Sequence, residues 1–316
     1  MFPSWLSVSD EVAAARAAGR PVVALESTLI AHGLPWPANL ETARRAEAEV
    51  RAGGAVPATV AVWHGTPTVG LTGDQVEELA RAAGVLKAGR RDLGAAVGLK
   101  RLAATTVSAT MALAHAAGVR VFATGGIGGA HRGGEPFDIS ADLIELSRTP
   151  VLVVCAGAKS ILHLPRTLEV LETLAVPVLG YRTDEFPAFY VGQASPGREP
   201  GVAPRLPVSA RVETADEAAA VFAAHVRMRG GGAVLARPCP ADVAIPPAEF
   251  DAWLGRAERE ATEAGVSGPR VTPWLLARLA ELSGGRTLAA NRALIAANAR
   301  LAAEVAAAMS SGESGA

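Results

Sequence analysis

The chain has 316 residues, half of them hydrophobic, which is enough to bury a sizeable core in one large domain or two small ones. That balance excludes disordered and fibrous classes. Thirty basic side chains against 31 acidic ones leave a net charge of -1, which offers no long-range field to nucleic acid or an anionic membrane, so a small-molecule ligand is the default expectation.

Residues 11–18, closed by Gly19, read as a first helix. Short apolar runs then alternate with amphipathic segments, the pattern of an α/β chain with helices on both faces of a sheet. The expected strands are 21–25, 59–63, 68–71, 119–123, 151–155, 176–180, 209–212 and 233–236, several of them continuous apolar runs as suits strands buried on both faces. Asn39 is placed to cap a helix reaching Arg51, and Thr214 to cap one running from Ala215 to Met228; glycine pairs or triplets follow both as stop signals. From Pro246 the pattern is helical only, through 273–282 and 287–309, which predicts a C-terminal helical layer over the sheet. Residues 193–207 read as a Pro-, Gly- and Arg-rich surface loop and 310–316 as a disordered tail. No linker divides the chain, so 1–316 is expected to be a single domain. The first eleven residues lack the features of a signal peptide and no apolar run reaches membrane-spanning length, which predicts a cytoplasmic protein. Cys155 and Cys239 lie in apolar surroundings without metal-ligand spacing and are expected to be buried free thiols.

Ligands of open α/β sheets collect beyond the carboxyl ends of the strands, so polar residues directly after apolar runs are candidates for chemistry. Glu26 follows one such run and serves either as a general acid or as a cap or arginine partner; His32 comes shortly after it in a loop. Lys159 follows another through Ala156-Gly157-Ala158, and it is one of only three lysines beside Lys87 and Lys100. A desolvated amine there is a Schiff-base nucleophile, whereas a snorkelling lysine at a helix start explains the same spacing. A third run, 119–124, leads into Gly125-Gly126-Ile127-Gly128-Gly129, whose glycines permit close approach of a ligand but fit neither a dinucleotide nor a P-loop fingerprint. Beyond it lie His131, Asp138, Ser140, Ala141 and Asp142; the aspartates suit either a divalent cation or a helix start capped by Ser140. Lys87, Arg90 and Arg91 form a basic knot, and Thr105, Thr106, Ser108 and Thr110 bring hydroxyls to a helix start; together they suit a phosphate, and separately they read as solvated charge and ordinary capping.

The blocks LESTLIAHGLPWP, GAVPATVAV, KAGRRDL, ATTVSATM, VFATGGIGGAHRG, FDISADL, VCAGAKSIL and TPWLLARL, in this order between about residues 9 and 309, resemble the pseudouridine-5'-phosphate glycosidase family, which includes the indigoidine synthase A type proteins. The resemblance implies a three-layer α/β/α sandwich with a largely buried mixed sheet, assembled as a homotrimer. It implies reversible cleavage of the C–C glycosidic bond of pseudouridine 5'-phosphate to uracil and ribose 5-phosphate, with a manganese-type divalent cation. Residue by residue, it implies Lys159 as nucleophile, Glu26 as proton donor, and Asn291 of LAANRAL as an active-site asparagine. Lys87 and Val107 become substrate contacts, as do Ser140, Ala141 and Asp142, with Arg90, Thr106 and His131 beside them; Asp138 becomes the metal ligand. Such chemistry suits these residue types, because a C–C glycosidic bond has no leaving heteroatom to protonate and needs an electron sink other than the two carboxylates of O-glycoside hydrolysis. Asn298, seven residues after Asn291, shares its helix face. Three positions depart from the family pattern: His163 for an acidic residue, Pro269 for a lysine and Gln193 for an arginine. They bear on substrate range, and motivate a related Schiff-base enzyme acting on another sugar phosphate as the alternative. No kinase module is evident, so the kinase supplying the substrate is expected to be a separate protein.

Overall fold

The computed structural model describes residues 2–133, 137–192, 206–268 and 271–313; Gln193, Pro269 and most of the 193–207 loop lie outside them. The strands are β1 (Ser7–Val8), β2 (Val22–Leu25), β3 (Val56–Trp63), β4 (Thr66–Val69), β5 (Leu86–Ala88), β6 (Ala103–Thr105), β7 (Val121–Ala123), β8 (Leu152–Cys155), β9 (Val178–Tyr181), β10 (Ala210–Val212) and β11 (Ala233–Ala236). The helices are α1 (Asp10–Ala17), α2 (Ala38–Ala52), α3 (Gly73–Arg81), α4 (Leu93–Gly98), α5 (Val107–Ala116), α6 (Ala141–Arg148), α7 (Leu164–Thr173), α8 (Ala215–Arg227), α9 (Pro247–Glu263), α10 (Val271–Leu282) and α11 (Arg286–Glu313). All eight expected strands are present. The three unexpected ones, β1, β5 and β6, are two or three residues long and lack the flanking apolar run that marks the equally short β7.

Among the described residues the strands form one mixed sheet ordered β1-β4-β3-β2-β7-β8-β11-β9-β10, with β6 on β3 and β5 on β6. Helices cover both sides: α2 and α8 flank the long α11, which runs under β2, β7 and β8, while α5 lies against β2, β3 and β4 and packs on α6. This is the expected α/β/α sandwich. Strands β2, β8 and β11 are wholly buried, which explains why their sequences read as Val, Leu and Ala throughout, with Cys155 the one exception at the end of β8.

One register decides where the site lies. β3 pairs β2 in parallel through Thr59, then continues past the end of β2 and pairs β6 antiparallel, Ala61 with Ala104 and Val62 with Ala103. β6 therefore runs back toward the carboxyl end of β2, and Thr105 arrives beside Ser27. The two are tied by buried hydroxyls: Ser27 Oγ donates to Val60 O at 2.6 Å, accepts from Thr105 N at 2.9 Å, and Thr105 Oγ1 donates to the same carbonyl at 2.7 Å. Parallel β5 travels with β6, so Lys87 faces the same place.

Three expectations need correction. Asn39 does not cap α2, whose N-cap position is Pro37; its buried amide instead donates to Ile30 O at 2.8 Å and Ala80 O at 2.9 Å, fixing the single π-helical turn Leu29–Gly33 that follows Glu26. The last helix passes through Ser310 to Glu313, within the segment expected as a disordered tail, whose remainder at 314–316 lies outside the described residues. Length and mean hydropathy also make Arg286–Ser311 capable by composition of crossing a membrane, but its alanine- and leucine-rich side fills the core, with Leu294, Ala299, Leu301, Ala302 and Val305 at most 3% exposed. Both cysteines are free and buried as expected, and burial pushes each thiol up to about 12.

Candidate active site

The loops after β7 and β8 run side by side as an extension of the sheet. Thr124 N donates to Val154 O, Ala156 N to Gly125 O, Ile127 N to Gly157 O and Lys159 N to Ile127 O, at 2.9–3.1 Å. This ladder carries the half-buried Lys159 to the carboxyl edge of the sheet, beyond the ends of β7 and β8. Gly157 makes the turn possible: its φ is +81°, and a Cβ there would stand 1.9 Å from Pro187 O.

Glu26 leaves the end of the neighbouring strand β2, half-buried, with both carboxylate oxygens engaged: Thr28 Oγ1 donates to Oε2 and Thr124 Oγ1 to Oε1. No arginine pairs with it among the described residues. Lys87 approaches from β5 on the opposite side. Its pKa is lowered, chiefly by burial of the ammonium and then by the charge of Lys159, while Glu26 and Asp142 pull the other way. Lys159, Glu26 and Asp142 are thus all near enough to act on the Lys87 ammonium electrostatically. His32, on the π-helical turn, lies near Lys87 as well; its pKa is lowered by burial first and by Lys87 second.

Asp142, in the first turn of α6, is 6% exposed, and each carboxylate oxygen accepts a backbone amide from another segment: Ser108 N at 3.0 Å and Gly128 N at 2.9 Å. It thus clamps the start of α5 to the glycine loop. Ser140 caps α6, its Oγ accepting from Asp142 N at 3.2 Å, and Ala141 opens that helix on the surface. Of the expected phosphate cradle, Thr106 and the buried Val107 form the N-terminus of α5, where Thr106 Oγ1 and Ser108 Oγ lie 3.1 Å apart and Arg90 N donates to Ser108 Oγ at 3.2 Å. The Arg90 guanidinium sits 3.6 Å from Glu145, while Arg91 points to solvent.

The glycines of 125–129 answer to protein packing. A Cβ on Gly126 would meet the Phe189 ring at 2.8 Å, on Gly128 the Ser140 Oγ at 2.2 Å, and on Gly129 the Thr167 Oγ1 at 2.3 Å. The expectation that they serve close ligand approach has this simpler cause.

Asn291 and Asn298 share the face of α11 turned to this loop, in different roles. Asn298, 1% exposed, donates from Nδ2 to Thr124 O at 2.9 Å and Gly125 O at 3.4 Å. Asn291 lies beside Gly125 with its buried Oδ1 unpartnered. Thr28 and Thr124 were passed over in the sequence, although a threonine ending an apolar run was a visible signal.

Asp138 is half-exposed, and His131 Nδ1 lies 2.7 Å from its Oδ1. Among the described residues no three His, Cys, Asp or Glu side chains gather into a cation cage. One accessible carboxylate fits a hard divalent cation that keeps most of its water, and does not fit a protein-caged ion. His163 caps α7, its Nδ1 accepting from Arg166 N at 3.1 Å.

Residues 11–308 match the family described as indigoidine synthase A like protein. The chain belongs to that family. A pseudouridine-5'-phosphate glycosidase of Herpetosiphon aurantiacus is 54% identical over 307 residues, covering 96% of this chain and 98% of its own. One from Sorangium cellulosum is 53% identical over 307 residues, covering 96% and 94%. Among solved structures, the prealnumycin C-glycosynthase AlnA in complex with ribulose 5-phosphate superposes with a TM-score of 0.89 at 40% identity, over 99% of this chain and 100% of that one. An indigoidine synthase A-like protein from Thermotoga maritima gives 0.83 at 36% identity, over 96% of each chain.

Proposed function

We propose that the protein is a pseudouridine-5'-phosphate glycosidase, one catalytic domain that reversibly converts pseudouridine 5'-phosphate and water to uracil and ribose 5-phosphate. The observation carrying the reading is that the ladder beyond β7 and β8 brings Lys159 to the carboxyl edge of the sheet, beside the strand end that bears Glu26, in a chain more than half identical to such glycosidases over nearly its whole length. Glu26 gives a proton to the ring oxygen as the C1'–O4' bond opens, and the neutral amine of Lys159 bonds to C1'. The alkylated nitrogen returns a proton to Glu26 and so regains its lone pair; uracil C5 takes a proton from water, the lone pair forms the C1'=N bond as an iminium, and the C1'–C5 pair returns to the base as it departs. Water hydrolyses the imine and frees ribose 5-phosphate. Lys87, Arg90 and the α5 N-terminus with Thr106 and Val107 supply cationic and amide groups suited to the phosphate and sugar. Ser140, Ala141, His131 and Asn291 line the base side, the unpartnered Asn291 Oδ1 being free to accept an N–H. Asp138 would hold Mn2+ among waters, and such an ion supplies polarisation of the base or of its water network. The same reading takes the protein as a cytoplasmic homotrimer whose substrate comes from a separate kinase.

Incubation with uracil, ribose 5-phosphate and manganese tests the activity: a folded sample that forms no pseudouridine 5'-phosphate refutes it. Borohydride reduction in the presence of ribose 5-phosphate should fix the sugar to Lys159 and leave a Lys159→Arg variant unlabelled. The likeness to a C-glycosynthase solved with ribulose 5-phosphate favours one second reading, a Schiff-base C-glycosidase of another sugar phosphate. Equal rates with non-uracil bases or other sugar phosphates would select it.

A further inference from the structure

A proton donor at a strand end is useful only if its carboxyl group stays in one place through loss and regain of the proton. Glu26 is attached through rotatable bonds, yet each oxygen is held by a threonine hydroxyl. A hydroxyl donates to a carboxylate and, turned about its C–O bond, accepts from a carboxylic acid, so the same pair can hold both protonation states. Thr28 is two residues along the same loop and moves with Glu26. Thr124 belongs to another strand end, and its hydroxyl is the hold that refers Glu26 to the rest of the sheet.

Threonine is stiff at χ1, so the position of the Thr124 hydroxyl follows its own backbone. That backbone is pinned from one side by Val154 O, which accepts Thr124 N at 3.0 Å, and from the other by Asn298, whose Nδ2 donates to Thr124 O and Gly125 O. The second place needs a neutral donor with two N–H groups, which the Asn298 amide supplies; a carboxylate of the same shape would set oxygen against two carbonyl oxygens. Asn298 is buried in α11, one of the longest-packed elements of the core, and does not donate to any residue of the proposed chemistry directly.

We infer that Asn298 is a positioning residue that orients the Glu26 carboxyl group through the Thr124 peptide and hydroxyl. The inference rests on the reading of Glu26 as the proton donor. It divides the two asparagines of the same helix face: Asn298 aligns the acid, and Asn291 lies beside Gly125 with its Oδ1 unpartnered.

The test is steady-state kinetics of the full chain in the synthetic direction, with wild-type, Thr124→Ser, Thr124→Val, Asn298→Ala and the Thr124→Val/Asn298→Ala double variant. Loss of alignment should lower kcat for Thr124→Val and Asn298→Ala by about tenfold to a hundredfold. KM for ribose 5-phosphate should stay within about twofold, and Thr124→Ser should recover to within about threefold of wild type, as expected for a lost alignment rather than lost binding. Because Asn298 acts through Thr124, the double variant should be no slower than Thr124→Val alone. Wild-type kcat in Asn298→Ala, multiplicative losses in the double variant, or a change confined to KM would each overturn the inference. Should Asn298→Ala not fold, the Ser and Val variants still decide: equal kcat in both overturns it. Inactive wild-type protein would refute the proposed function instead, so the two failures are distinct.

Discussion

Replacing Asp142 is the sharpest probe of how the site is assembled. Its oxygens accept Ser108 N at 3.0 Å and Gly128 N at 2.9 Å in a setting 6% exposed, so both bonds are charge-assisted and shielded from water. A hydrogen bond to a charged group contributes about 1.5–3 kcal/mol, and Asp142→Ala leaves two buried amides without partners, a loss of about 3–6 kcal/mol. For a chain of this size that is a fall in Tm of roughly 6–12 °C, at about 2 °C per kcal/mol. Asp142→Asn keeps one acceptor and turns an NH2 group toward the other amide, so it should fall by about half as much. Activity should drop in the same order when assayed well below each variant's Tm, because the released glycine loop includes Ile127, whose carbonyl accepts Lys159 N. Differential scanning calorimetry with parallel rate measurements reads both effects. An Asp142→Asn protein with wild-type Tm and wild-type rate would refute the clamp.

Three other expectations follow from the geometry. Gly157→Ala should cost several kcal/mol in chemical denaturation and abolish Lys159 labelling, since its φ of +81° and the Pro187 carbonyl 1.9 Å from the added Cβ leave no room; retained labelling would contradict the turn described. Lys87→Met should raise KM for ribose 5-phosphate about tenfold to a hundredfold, the loss of one hydrogen bond to a charged group, and an unchanged KM would remove Lys87 from the sugar-phosphate contacts. Glu47 on α2 has its pKa raised by burial, against the opposing hydrogen bond from Thr59 at 2.6 Å. The folded state therefore holds that proton more tightly than the unfolded chain, and the stabilisation is full below the unfolded value near 4.5 and is lost as pH rises through the folded value. Glu47→Gln keeps the acceptor for Thr59 and should flatten this part of a urea-midpoint profile; an unaltered profile would assign the pH dependence elsewhere.

Much of the candidate site was legible because the side chains proposed for the chemistry stand directly after buried strands. An apolar run ending in Glu26 or leading through small residues to Lys159 signals its own place at the carboxyl edge, and the runs themselves marked eight of the strands. Thr214 and Ser140 act as the caps their positions suggest, since these bonds join residues only three and two apart. Asn39 misled for the same reason in reverse. Its local position suited a cap, whereas its amide serves carbonyls 9 and 41 residues away.

Local pattern thus decided, from the sequence alone, the α/β class and the buried strands, and it marked Lys159 and Glu26 as candidates, whose roles as nucleophile and acid came from the resemblance to a family. Only the folded chain decided how these meet. The antiparallel return of β6 along β3 brings Lys87 and the α5 N-terminus over the end of β2, and no periodicity encodes a pairing between strands 40 residues apart. Asp142 and Asn298 show the same limit: each spends its hydrogen bonds on backbone far away in the chain, and only close packing reveals which distant amides and carbonyls would otherwise be left buried and unsatisfied.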